Sequence, residues 1–281
     1  METVGKDHQE ILRLDAETVE KLLVEFVRDQ TTNAGFHKGI VGVSGGVDSA
    51  VSAFLTAKAL GVRNTIAVIM PHKSSSKESV EDAHLVVKQL GIPSEVVDIT
   101  GMVDAYCDAW KVTEKVRRGN VMARVRMIVL YDISARENAL VIGTSNKTEL
   151  LVGYGTLHGD MACAIDPLGD LYKTQIWQLA EAMNVPEKIV KKKPTADLWA
   201  GQTDEGELGI SYRDLDRLLY FMIDERRNDG ELKELGFKPA DIARVRSMVR
   251  KNQFKRRPPI IAKVSQRTLN VDFRYVRDWG I

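Results

Sequence analysis

Cysteine is scarce. The 281 residues include two, Cys107 and Cys163, far apart and in no C-x-x-C pair. That argues against a disulfide framework or a zinc site, and a chain of this length buries enough core without either. Long apolar runs are also missing. The longest, such as Thr65 to Met70, are strand-sized, well short of the roughly 20 residues a spanning helix needs. Charge of one sign is not in excess: forty basic residues face thirty-nine acidic ones, a formal charge of +1. A broad cationic surface for nucleic acid is therefore not expected. Met1 to Asp15 has no basic segment followed by an apolar run, so no secretory signal is expected. Repeats and low-complexity tracts are absent. With 44% hydrophobic and 28% charged residues, the composition is that of an ordinary globular chain. The expectation is a soluble cytoplasmic protein with neither a membrane nor a nucleic acid as partner.

What is present is an alternation of strand and helix signals. Val19, Leu22, Leu23, Phe26 and Val27 recur at helical spacing and predict a helix over Ala16 to Arg28. Gly39 to Val43 reads as a short buried strand, then Asp48 to Leu60 as a helix stopped by Gly61. Thr65 to Met70 is the next strand, Glu78 to Leu90 a helix ended by Gly91, and Ser94 to Ile99 a third strand. Met122 to Arg136 is helical and Ala139 to Gly143 a fourth strand. Strands separated by helix-length segments predict an α/β fold, a doubly wound parallel sheet with helices on both faces. Beyond Thr144, Leu151 to Tyr172 is glycine-rich and loop-like, and Thr174 to Met183 is a helix. Lys191 to Ser211 is too long and polar for a plain connection. Arg213 to Arg227 is amphipathic, and Ile242, Val245, Met248 and Val249 mark a further helix before Pro258-Pro259. The pattern is one domain with a helical C-terminal extension.

The most informative stretch is Gly42-Val43-Ser44-Gly45-Gly46-Val47-Asp48-Ser49, after a strand and at a helix start. Glycines let a ligand approach the backbone, and amides at a helix N-terminus attract an anion. The Walker A lysine is missing. A glycine-rich turn with Ser or Asp as N-cap is the plainer reading. Asp48 would repel a phosphate unless a cation intervenes, so it either caps the helix or holds Mg²⁺.

Four further stretches bear on chemistry. Arg124 shares a helix face with Val121, Val125 and Ile128 in a helix starting near Asn120, so it snorkels from a rim or pairs in a buried interface. Thr144 follows a strand end, where open α/β sheets bind ligands. Glu149 either completes a magnesium site or is a solvated helix-start glutamate. Lys173 lies at a helix start, where the dipole disfavours a cation; it faces phosphates or is a solvated surface lysine. The last stretch combines Pro194-Thr-Ala-Asp-Leu198 with Asp204-Glu-Gly-Glu-Leu-Gly-Ile-Ser-Tyr212.

The glycine loop resembles that of the N-type ATP pyrophosphatase superfamily, with its adenine nucleotide alpha hydrolase-like fold. With the other stretches, the chain from about Leu22 to Arg257 resembles NAD synthetases of the ammonia-dependent form. That resemblance implies one domain over 1–281, with a core of about 16–257 and an extension over 258–281. It implies that Gly42 to Ser49, Thr144, Lys173 and Thr195 contact ATP, and that Asp48 and Glu149 hold Mg²⁺. Asp48, Lys173 and Asp160 would be catalytic, Asp160 by taking a proton from ammonium; a structural loop aspartate is the rival reading there. Arg124, His158, Asp166, Phe254 and Lys255 would serve deamido-NAD, which lies across a homodimer interface in that family. Three positions depart from the family pattern, Leu157, Ala164 and Phe254, all in the dinucleotide pocket.

The implied reaction joins ammonia to deamido-NAD at the expense of ATP, through an acyl adenylate. Other readings are a transfer-RNA-thiolating relative, an asparagine- or GMP-synthetase-like amidotransferase, and a silent nucleotide-binding regulator. Neither cysteine lies in a thiolation motif, residue 2 is Glu2 where an N-terminal cysteine nucleophile would stand, and Asp48, Glu149 and Lys173 are all present.

Overall fold

The computed structural model describes residues 11–199, 201–266 and 268. Asp15 accepts the Thr18 N–H and starts α1, Ala16–Asn33. There follow β1 (Lys38–Gly42), α2 (Val47–Leu60), β2 (Thr65–Ile69), α3 (Lys77–Leu90) and β3 (Ser94–Val96). Next come α4 (Thr100–Ala109), α5 (Lys115–Glu137), β4 (Ala139–Val141), α6 (Lys147–Val152) and α7 (Lys173–Ala182). The C-terminal part holds α8 (Glu187–Val190), α9 (Asp204–Leu208), α10 (Tyr212–Leu219), α11 (Asp229–Glu234) and α12 (Pro239–Lys251).

All strand pairs are parallel, in the order β3-β2-β1-β4. Successive strand residues face opposite sides, and the core divides accordingly. Val41, Ala67 and Ile69 pack against α2, α3 and α7 through residues such as Phe54, Val86 and Leu179. Ile40, Val68 and Val141 pack against α4 and α5 through Val103, Met122 and Val129. The expected helices on both faces are therefore present. A third cluster, with Tyr212, Leu215, Leu218, Leu219 and Val245 at its centre, joins α10, α11 and α12. These residues are buried, and trimming such a leucine to alanine costs about 2–5 kcal/mol.

Several boundaries differ from those read in the sequence. Helix α1 continues to Asn33, and α5 begins at Lys115, ahead of Asn120. Arg124 and Ile128 are exposed on α5 while Val125 is buried, so the expected common face is split between core and solvent. Strand β3 stops at Val96 although Val97 and Ile99 still donate to Ile69 and Pro71. Pro71 has no N–H to return, so the ladder cannot continue. Helix α4 carried no reading, and the helix expected over Arg213 to Arg227 becomes α10 followed by a π-turn, Tyr220–Asp224. Among the described residues, 258–266 form no helix or strand; 267 and 269–281 of the expected extension lie outside them. No described helix is long and apolar enough to cross a membrane.

The strand order reverses at β1, whose neighbours are β2 on one side and β4 on the other. The carboxyl ends of β1 and β4 therefore bound a crevice, the usual ligand position in such sheets.

Candidate active site

The glycine loop lies at that crevice. Gly45 has φ +82°, and a Cβ there would stand 2.2 Å from the Ser79 carbonyl oxygen, so only glycine fits. Gly46 is the N-cap of α2 and provides no side-chain cap; the first helical bond is Ala50 N–H to Gly46 C=O. The N–H groups of Val47, Asp48 and Ser49 precede the first acceptor turn and remain available to an anion. Ser49 stabilises the turn: its Oγ donates to Gly46 C=O at 3.0 Å and accepts the Ser44 N–H at 3.1 Å.

Asp48 does not cap the helix. Its Oδ1 accepts from Asn146 Nδ2 at 2.9 Å, and its Oδ2 lies 2.5 Å from Lys173 Nζ. Asn146 also begins α6 in a capping box with Glu149, accepting the Glu149 N–H at 3.0 Å. That fixes the Glu149 carboxylate, and its Oε1 lies 3.5 Å from Lys173 Nζ. Lys173 is 2% exposed, so it is not a solvated surface lysine.

A buried ammonium in the first turn of α7 needs compensation, and three groups supply it. Asp48 and Glu149 flank it, and the Tyr212 ring lies 5.2 Å below it. Asp216 of α10 braces the backbone around it. Its carboxylate accepts the Thr148 hydroxyl at 2.6 Å and the Thr174 N–H at 2.8 Å, while Thr148 Oγ1 accepts the Lys173 N–H at 3.0 Å. One buried carboxylate thus ties α6 to the N-terminus of α7. Burial opposes the charge of Lys173, but Asp48 and Glu149 outweigh it and raise its pKa. Burial likewise raises Glu149, against the pull of Lys173, and pushes Asp216 up to about 6. Behind Lys173, the Tyr212 and Tyr154 hydroxyls donate to Asp204, whose carboxyl burial also raises.

The crevice is a cavity of about 520 Å³. Of the residues singled out in the sequence, Gly42 to Ser44, Gly46 to Ser49, Thr144, Glu149, Asp160, Lys173, Thr195 and Lys255 line it. Gly45, Arg124, His158, Asp166 and Phe254 do not. Gly45 is turned toward α3. Arg124 donates to Leu157 C=O at 3.3 Å from the exposed face of α5. His158 occupies a positive-φ turn, and Phe254 is 59% exposed. Asp166 is packed beside Gly143; its Oδ1 is buried with no hydrogen-bond partner. Burial, then the charge of Asp48, pushes its carboxyl up to about 7.

Asp160 opens onto the cavity yet is ringed by protein, which raises its carboxyl although it accepts the Thr156 N–H at 2.9 Å. Lys255 donates to Gly153 and Gly155 carbonyls, both at 2.8 Å, and desolvation lowers its pKa. Arg256 donates to Leu150 and Leu151 carbonyls at the end of α6. Unassigned residues on the wall include Asn120, Arg126, Tyr154, Trp199, Gln202 and Asp204. Arg126 donates to Met70 C=O at 3.1 Å and lies two positions beyond Arg124, on another side of α5. That offset at helical pitch was the available signal for it.

Among the described residues, no group of three or more His, Cys, Asp or Glu side chains forms a metal cage. Asp48 and Glu149 instead present two hard oxygen donors around one cationic nitrogen. Such a pair, completed by phosphate oxygens and water, is the usual protein share of a Mg²⁺ site. A helix N-terminus, a buried lysine and two carboxylates around one space are suited to a polyphosphate with its divalent cation.

The profile of the family described as NAD synthase matches residues 19–259. An NH(3)-dependent NAD(+) synthetase of Chlorobaculum parvum is 52% identical over 268 residues, 95% of this chain and 97% of that protein. Among solved structures, the NH3-dependent NAD synthetase of Campylobacter jejuni in complex with nitrate is 35% identical, with a TM-score of 0.77, covering 89% of this chain and all of the other. An NMN synthetase of Francisella tularensis is 31% identical, with a TM-score of 0.79, covering 89% of this chain and 99% of that one. The chain belongs to the NAD synthase family.

Proposed function

We propose that this enzyme amidates deamido-NAD with ammonia, consuming ATP and releasing NAD, AMP and pyrophosphate. The observation that carries the reading is the buried Asp48–Lys173–Glu149 cluster facing the glycine-loop amides in a chain of this family. The nicotinate carboxylate oxygen attacks the α-phosphorus of ATP, the bond to the β-phosphate oxygen breaks, and pyrophosphate leaves. Ammonia then attacks the acyl carbon, the bond to the AMP oxygen breaks, and a proton is lost from nitrogen.

The first step brings two anions together, so positive charge must already be in place. Lys173 and the amides of Val47, Asp48 and Ser49 supply it, with Thr144 and Thr195 as further ATP contacts. Asp48 and Glu149 would hold Mg²⁺, which when bound neutralises phosphate charge. Asp160, with its raised carboxyl and its place on the cavity wall, is the base assigned to ammonium. Lys255, Asp166, Arg124, His158 and Phe254 are assigned to the dinucleotide. Arg124, His158 and Phe254 act from the rim, so the dinucleotide extends over α5. Exposed Val116, Ile128 and Tyr131 on α5 support a homodimer covering that face. The single-domain reading is supported by α7, which contributes to both the sheet core and the C-terminal cluster. Two free cysteines support a reducing compartment, the cytoplasm.

The test is incubation with ATP, Mg²⁺, deamido-NAD and an ammonium salt, following NAD and AMP. The corresponding mononucleotide is the control acid, because one structural relative is an NMN synthetase. ADP as product, or turnover indifferent to deamido-NAD, overturns the reading.

A further inference from the structure

We propose that Lys192 is a further ATP-binding residue at the outer edge of the glycine loop, and that Asp82 is the positioning residue that holds it there. The inference rests on the reading that the glycine-loop cavity takes the ATP triphosphate.

Lys192 follows α8 and lines the cavity. Its Nζ donates to Ser79 Oγ at 3.1 Å and to Asp82 Oδ2 at 2.8 Å, both on the first turns of α3. Ser79 is also the residue whose carbonyl oxygen abuts Gly45. The ammonium is therefore anchored on the helical turn that forms the back of the loop. Asp82 is 1% exposed and lies 2.8 Å from a second ammonium, that of Lys188. Burial works against its charge, but the two lysines hold its pKa below the usual carboxylate value. The other anions nearby act on Lys188: Glu78 is half-solvated and 3.7 Å from its ammonium, and Glu81 adds a weaker pull. One buried carboxylate is thus shared by two ammoniums, which leaves Lys192 less neutralised than Lys173 with its two carboxylates.

The two lysines divide the triphosphate. Lys173 adjoins the inner carboxylates, where the α-phosphorus must meet its nucleophile. Lys192 stands across the loop, three residues before Thr195, at the end where β- and γ-phosphates project. Charge builds on the pyrophosphate as its bond to the α-phosphorus breaks, and a fixed ammonium beside it stabilises that departure. A strut between α3 and the α8 region would need only the ion pair, and Lys188, within α8, already supplies one.

The test measures Mg-ATP binding by calorimetry without a second substrate, and inhibition by inorganic pyrophosphate. Lys192→Met is expected to weaken both about tenfold, the order of a lost charge-assisted hydrogen bond, and Lys192→Arg to recover most of it. Lys188→Met is expected to bind ATP within about twofold of wild type while losing a similar ion pair. Asp82→Asn is expected to raise KM for ATP more than it lowers kcat. ATP and pyrophosphate binding unchanged in Lys192→Met overturns the proposal, as does an equal loss in Lys188→Met. A lowered melting temperature in Asp82→Asn with KM unchanged overturns the positioning role. Wild-type protein that binds no ATP overturns the nucleotide reading itself, whereas failure with deamido-NAD alone leaves this test intact.

Discussion

The inner wall of the cavity and its outer rim are built differently. On the inner wall, each functional group is fixed by an element end. The loop amides belong to α2, Glu149 is held by the capping box of α6, and Lys173 stands in the first turn of α7 beneath Asp216. On the rim, Arg124 and His158 are exposed and Phe254 has most of its surface in solvent. The wall is pre-organised for charge chemistry, while the rim residues are the ones proposed to meet the dinucleotide or a second subunit. Substitutions should therefore damage the two regions in different currencies, turnover on the wall and substrate affinity on the rim.

The strongest challenge to that contrast is Asp48→Asn. It keeps the shape but removes the charge between Asn146 and Lys173, and turnover should fall at least a hundredfold, about 3 kcal/mol of transition-state stabilisation. The thermal midpoint should fall as well, because the buried Lys173 ammonium loses one of its two flanking carboxylates; an active variant would remove Asp48 from the chemistry. Asp216→Ala comes next, because it deletes the acceptor of the Thr148 hydroxyl and the Thr174 amide. Urea unfolding should show a loss of about 3 kcal/mol, and turnover should drop with it as Lys173 and Glu149 lose register.

A smaller effect concerns Asp166 and pH. Its carboxyl stands at about 7 in the folded chain against an ordinary 3.8, so the folded state holds this proton more tightly. The resulting stability is fully present below about pH 4 and is lost as pH rises toward about 7. Asp166→Asn should flatten the fall in melting temperature between about pH 4 and pH 7; an unchanged slope would mean the group is not buried as a neutral acid. The least effect on stability should come from Phe254→Ser, within about 0.5 kcal/mol. A raised KM for the dinucleotide with kcat preserved would sharpen the rim assignment, and an unchanged KM would end it.

The sheet and the glycine loop were legible because their signals are local. Short continuous apolar runs mark β1 and β2, and Ser44 to Ser49 carries the loop in consecutive residues. Lys173 was legible as an anomaly, a cation where the helix dipole repels one. Asp216 was not. Beside Leu215, Leu218 and Leu219 it reads as the polar side of an amphipathic helix, yet it is fully buried. Its partners, Thr148 and Thr174, lie far away in the chain, and helical periodicity carries no information about them. Helix α4 was missed although Met102, Val103, Tyr106 and Cys107 recur at helical spacing; that apolar arc is only half used by the core, with Val103 and Cys107 buried and Met102 and Tyr106 exposed. Arg126 was overshadowed by Arg124, since a two-residue offset on a helix changes the side that a residue serves.

The alternation along β1 has a consequence for chain length. Ile40 belongs to one core and Val41 to the other, and the loop begins almost at once. Inserting or deleting one residue between Lys38 and Gly46 would exchange the two cores or pull Gly45 from its seat against Ser79. Spacing there is constrained more tightly than side-chain identity. The connection between the π-turn and α11 has no such double duty. A library of single-residue insertions should leave the first segment almost empty of folded members and populate the second.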